Sequence, residues 1–202
     1  MALFGRNWVF RFVSKPGKLG KAEIRTTTMW LSEQEMANGK PKRDPFIQAV
    51  IDNECDIVRA GLADGRDPNA ADEFGWIPLH RAAANNSTGV IEILLNAGSS
   101  LSAIGTDSWT PLHLAAVSGS TEAVRLLVSA GANVDALSSK GDTPLHLCAI
   151  SCSAKAARTL IGARANPNAL NYKGESPLVI AENSGNRCQA LIELLRGLSR
   201  NV

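Results

Sequence analysis

The chain has 202 residues, 45% of them hydrophobic, so it is long and apolar enough to bury a substantial core, and no apolar run approaches the ~18 residues of a membrane span. A soluble protein is expected. The net charge of +2 is unevenly placed, because residues 1 to 43 carry nine Lys or Arg against three Glu, whereas residues 44 to 202 carry 12 basic and 16 acidic residues. That acidic remainder disfavours nucleic acid as its partner.

Residues 1 to 40 read as a basic extension. Trp8, Phe10 and Phe12 alternate, Ile24 to Trp30 is rich in β-branched and aromatic residues, and Lys15-Pro16-Gly17 lies between them, a pattern that predicts a β-hairpin. Ser32 with Glu35 forms a capping box for a short helix ending at Gly39. An isolated hairpin is marginal in water, so its aromatics need a surface to lie on. An N-terminal cap on the first helical unit is the leading reading. A basic docking arm and an organelle targeting segment are the alternatives, the last because residues 1 to 22 carry five basic residues and no acid.

From residue 41 onward the chain is periodic. Prolines stand at 45, 78, 111, 144 and 177, each followed by Phe46 or a leucine, at a fixed interval of 33 residues. Proline suits the first position of a helix, where its fixed φ is already helical and its missing N–H has no intrahelical partner. Asp44, Thr110, Thr143 and Ser176 precede four of them as N-caps, and Ile77 alone departs. Eight residues after each proline stand Asn53, Asn86, Gly119, Cys152 and Gly185. All but Cys152 tolerate the left-handed conformation that closes a helix. A second apolar run follows, such as Ala123 to Val128, and stops near Gly65, Gly98 or Gly131. Turn formers such as Asn133 to Asp142 complete each unit as an extended loop or hairpin.

With Asp142-Thr143-Pro144-Leu145-His146-Leu147, Ala115-Ala116, Leu126-Leu127 and Gly131-Ala132-Asn133 in place, the sequence resembles an ankyrin repeat protein. The units run about 39–71, 72–104, 105–137, 138–170 and 171–202, with degenerate outer ones, and Arg164 departs from the helix-stop glycine of the other units. The resemblance implies a mainly α solenoid of helix-turn-helix-hairpin units that binds proteins on its concave face. His80, His113 and His146 share one slot, and the resemblance implies that their imidazoles bond to loop backbone between units. Asp107, Ser108 and His113 therefore offer no supported triad, and no nucleophile turn or phosphate loop accompanies them. An enzyme, a cofactor and a metal are not expected.

The same register implies the partner face. Flanking the finger tips are Glu73, Phe74 and Trp76, then Thr106, Asp107 and Trp109, then Ser139, Lys140 and Asp142, then Tyr172, Lys173 and Glu175; Asn85, Ser118 and Ser151 lie on the inner helices. The first two groups join aromatics to acids, which suits a partner with an apolar spot ringed by Lys or Arg, and Trp76 and Trp109 are its expected centre. A non-catalytic adaptor or inhibitor, monomeric on its own, is the expected function. The alternative is a scaffold or localisation subunit whose basic N-terminal extension touches membrane or nucleic acid while the repeats carry a protein. Cys55, Cys148, Cys152 and Cys188 lie in helical segments spread over three units without a disulfide-framework spacing, which points to a reducing compartment and the cytoplasm. Cys148 and Cys152, one turn apart, read as buried thiols rather than as a metal pair completed by His146.

Overall fold

The computed structural model describes residues 44–199, and the expectations for the basic extension at 1–40 lie outside the described residues. Among the described residues ten α-helices alternate between an inner and an outer layer. The inner ones, each opened by its proline, are α1 (Pro45–Ile51), α3 (Pro78–Asn85), α5 (Pro111–Val117), α7 (Pro144–Ser151) and α9 (Pro177–Asn183). The outer ones are α2 (Cys55–Ala63), α4 (Thr88–Asn96), α6 (Thr121–Ser129), α8 (Ala154–Gly162) and α10 (Gln189–Ser199). Inner helices stack on inner and outer on outer. The interior is made of the leucine after each central proline (Leu79, Leu112, Leu145), joined by Leu114 and Leu147, small pairs beside it (Ala82 and Ala83, Ala115 and Ala116, Cys148 and Ala149) and outer triplets such as Val124, Leu127 and Ala123. Small residues let the inner helices approach closely, and each fully buried leucine contributes about 1.5–3 kcal/mol.

The turn between the two helices is left-handed in every unit: φ is 60° at Asn53, 55° at Asn86, 67° at Gly119, 56° at Cys152 and 71° at Gly185. Cys152 thus takes the conformation its side chain disfavours. Arg164 does the same at φ 67°, where Gly65, Gly98 and Gly131 stand in the earlier units. The 33-residue geometry overrides the local preference at both places. The fingers between units are tight turns, with no regular strand among the described residues.

The histidines tie each unit to the next. Nδ1 of His80, His113 and His146 accepts the backbone N–H of Ile77, Thr110 and Thr143 at 3.2, 3.1 and 3.1 Å, which caps the helix even where Ile77 has no side-chain oxygen. Nε2 then donates to the carbonyl of Trp109, Asp142 and Glu175 in the following finger, at 3.0, 3.1 and 3.0 Å. Both bonds require the Nε2–H tautomer and a neutral ring. Burial pushes all three imidazoles below their ordinary range, against the raising influence of those carbonyls, and takes His80 down to about 4.

Because the folded pKa lies below the unfolded one, the unfolded chain binds more protons in between, so the stability is complete above the unfolded value near 6.5 and is lost as pH falls toward the folded value. The midpoint of urea unfolding should therefore drop between pH 6.5 and 5, before most carboxylates protonate. His80 alone should cost about 3 kcal/mol by pH 4. A flat profile through that window would mean that the rings are not buried neutral.

Candidate functional site

The residues available to a partner are set by how the fingers are built. In three of them the first residue caps the turn with its own side chain. Asp72 Oδ1 accepts from the N–H groups of Phe74 and Trp76, Ser138 Oγ from Lys140 and Asp142, and Asn171 Oδ1 from Lys173 and Glu175, all at 2.9–3.2 Å. The second finger has Gly105 in that position, and the indole of Trp76 lies where a Cβ would stand. Its turn is then made by Asp107 and Ser108, both left-handed at φ 58° and 56°. Successive fingers are laced by Thr106 N–H to the Phe74 carbonyl at 2.9 Å, Ser139 N–H to Asp107 at 2.8 Å and Tyr172 N–H to Lys140 at 3.0 Å. The four fingers so joined keep the 33-residue register at their tips.

The two tryptophans are not the exposed centre that their position suggested. Trp76 is half-buried, covers Gly105 of the next finger and carries the Arg81 guanidinium 4.5 Å above its ring, while Arg81 is also paired with Asp72. Trp109 is half-buried as well, and its carbonyl receives His80. Asp142 is buried, with Oδ1 accepting from Asn171 Nδ2 at 2.9 Å and its carbonyl holding His113. Ser151 donates to the Ala116 carbonyl of the preceding unit at 2.9 Å, and Asn85 Nδ2 donates to Arg81 O at 2.8 Å. The side chains of Trp76, Asp142 and Ser151 thus join neighbouring units, while Asn85 bonds within its own helix. Glu73, Phe74, Asp107, Lys140 and Tyr172 are exposed, and Ser118 is half-buried. The ring of Tyr172, 73% exposed, passes over Gly141, where an added Cβ would come within 2.6 Å of it.

Sequence reasoning missed the most regular surface feature. Ile104, Leu137 and Leu170 are 61%, 54% and 63% exposed, stand 33 residues apart, and each immediately precedes the first residue of a finger. Ala71 occupies the same slot before the first finger. The three thus hold one register position in successive units, and Phe74 on the first finger and Tyr172 on the last are exposed as well, at 50% and 73%. The signal was in the period: an apolar residue recurring at one slot among turn formers, with no packing role there.

The cysteines also differ from expectation. Cys152 and Cys188 form a disulfide, with Cα atoms 4.7 Å apart, so the spacing argument for four reduced thiols does not hold. Cys148 is buried, and desolvation pushes its thiol up to about 12, which keeps it protonated and unsuited to binding a metal. Among the described residues no cluster of His, Cys, Asp and Glu is arranged to hold a metal ion, and no helix is long and apolar enough to cross a membrane.

Two stacked helical layers with laced fingers define a repeat solenoid, in which each unit contacts its neighbours and presents an extended surface. A family model described as ankyrin repeats in three copies matches residues 46–138, and a single ankyrin repeat model matches 140–172. Together these cover more than half of the chain, which belongs to the ankyrin repeat family. Ankyrin repeats are protein-interaction modules, generally without catalytic activity of their own. Ankyrin repeat domain-containing protein 1 of Xenopus laevis is 40% identical over 52 residues, a stretch that spans 26% of this chain and 16% of that relative.

The contact between Trp76 and Gly105 is directly testable. Gly105→Ala places a methyl group inside the indole, and with Arg81 above it the ring must leave its stack, at a cost of about 1–3 kcal/mol. A lower thermal midpoint together with red-shifted tryptophan emission is expected. An unchanged midpoint would mean that the indole lies elsewhere.

Proposed function

We propose that this chain is a non-catalytic binding protein, an adaptor or an inhibitor, that holds a partner protein against its finger face. The observation that carries this reading is the exposure of Ile104, Leu137 and Leu170 at one register position. Large apolar side chains gain nothing from solvent, and contiguous exposed ones mark interaction sites. Phe74 and Tyr172 extend the apolar area. Glu73 and Asp107 lie beside the first two fingers and Lys140 and Lys173 on the last two. The charge of the face thus changes sign along the stack, and a partner of complementary polarity would be oriented as well as bound. This differs from a face centred on Trp76 and Trp109: both are half-buried and the Trp76 ring covers the next finger, and the residues before the fingers make the contact.

Interface energy concentrates in buried apolar anchors, and truncating one costs about 2 kcal/mol or more, roughly thirtyfold in affinity. Leu137→Asp and Leu170→Asp should therefore weaken the complex with the partner purified from the native source by at least that factor. Their circular dichroism should match the unaltered chain and their thermal midpoint should move little, because each residue is more than half exposed. Lys173→Ala should change mainly the association rate and its salt dependence. Wild-type affinity in both aspartate variants, with binding lost instead in Arg125→Glu or Arg158→Glu on the outer helices, would move the site to the other side of the solenoid.

A further inference from the structure

The disulfide stands in a slot that the earlier units also use, and use differently. Asn53, the left-handed residue of the first unit, accepts with Oδ1 the N–H of Val90 in the first turn of α4, at 3.1 Å and 37 residues away. Asn86 repeats this in the second unit with the N–H of Ala123 in the first turn of α6, at 3.0 Å and again 37 residues away. The side chain of the left-handed residue is thus carried to the start of the next outer helix. Gly119 leaves the third slot without a side chain. In the fourth, Cys152 meets Cys188, 36 residues on and directly before α10. The geometry that gives two units a hydrogen-bonded strap gives the last pair a covalent one.

We propose that Cys152–Cys188 is a redox-sensitive strap that decides whether the last described unit stays docked on the stack. Three observations make this unit the one that needs it. No further unit covers α9 among the described residues, and Val179, in the slot held by histidine in the three central units, is 40% exposed. Among the described residues the unit packs only on the preceding one, and in a solenoid each unit draws its stability from its neighbours. Cys152 also carries the strain of a left-handed φ of 56° on a residue with a Cβ, where Asn or Gly stands in the other four units, so something other than turn preference accounts for a cysteine there.

The exchange is balanced with glutathione as the co-reactant. A glutathione thiolate attacks the Cys152 sulfur, which belongs to the half-buried partner, and the bond to Cys188 breaks. The Cys188 sulfur leaves with the electron pair and takes a proton. The Ala149 carbonyl, 3.5 Å from Cys188 Sγ, is placed to accept a hydrogen bond from that new thiol. A second glutathione thiolate attacks the glutathione sulfur of the mixed disulfide, releasing glutathione disulfide and the Cys152 thiolate, which is protonated. Two thiols are oxidised and one protein disulfide is reduced. Without the strap, the 36-residue segment it closed is freed in the unfolded form, and local opening of the last unit becomes easier. Leu170 and Tyr172 stand at that end of the fingers, so reduction would also loosen one end of the face. That consequence rests on the proposed function, whereas the strap does not.

The test is amide hydrogen exchange of the full chain in defined glutathione buffers, with alkylation and intact mass read in parallel, so that no partner is involved. Cys152 and Cys188 should become alkylable together as the buffer turns reducing. Exchange over 177–199 should then rise about tenfold or more, while that over 78–117 stays unchanged. Cys152→Asn, which restores the residue of the first two units, should fold and exchange identically in both buffers. The proposal is overturned if the two sulfurs remain alkylable in excess glutathione disulfide, if exchange over 177–199 ignores the redox state of the unaltered chain, or if Cys152→Asn responds to reductant as that chain does. Loss of partner binding in Leu137→Asp, or its absence, bears only on the binding face.

Discussion

Each of the three histidine rings is held at both nitrogens, and most of what the molecule presents depends on that arrangement. Nδ1 takes the amide that opens the inner helix and Nε2 reaches the carbonyl at the base of the following finger. One side chain therefore fixes a helix start, a loop and the relation between two units. The rings themselves are fully buried, so a lost partner would leave a ring nitrogen without water, at about 1–3 kcal/mol each. The helices alone would stack through leucine and alanine with some freedom to slide. Anchoring the fingers to them at three successive levels removes that freedom.

The surface follows from this constraint. Fingers that are anchored below and laced to one another at 74–106, 107–139 and 140–172 hold the residues before them in register. An apolar residue repeated in one slot is then presented at the same register position in successive units. Rigid loops lose little entropy on binding, which is how a short repeated turn serves as a recognition element. The Trp76 ring belongs to the support. Trp76 replaces the side chain that Gly105 lacks, and Arg81 bridges its ring and Asp72, so the aromatic residue with most to offer a partner is already engaged.

Much of this was legible in the sequence because period is a property of the chain that packing then obeys. The prolines, the caps and the left-handed slots follow from residue type at a spacing of 33, and the shared role of the three histidines follows from the resemblance to ankyrin repeats. Cys152 and Arg164 show the limit of local preference, since both take a left-handed φ that their neighbours in the repeat take more easily. What was not legible depended on side-chain direction. Whether a finger residue points out, as Tyr172 does, or under its neighbour, as Asp142 does, depends on cross-finger bonds such as Asn171 to Asp142. The pairing of Cys152 with Cys188 was hidden for the same reason: the bridge follows the offset from a turn to the next outer helix, and a search for regular cysteine spacing passes over it.

The central claim is that a partner meets the residues before the fingers, and site-specific photo-crosslinking reads it without presuming who the partner is. A photoreactive phenylalanine analogue at position 137, and separately at positions 125 and 158 on the outer helices, would be irradiated in the complex with the partner purified from the native source. The account predicts a covalent adduct at 137 and none at 125 or 158. Adducts at the outer helices with none at 137 would contradict it.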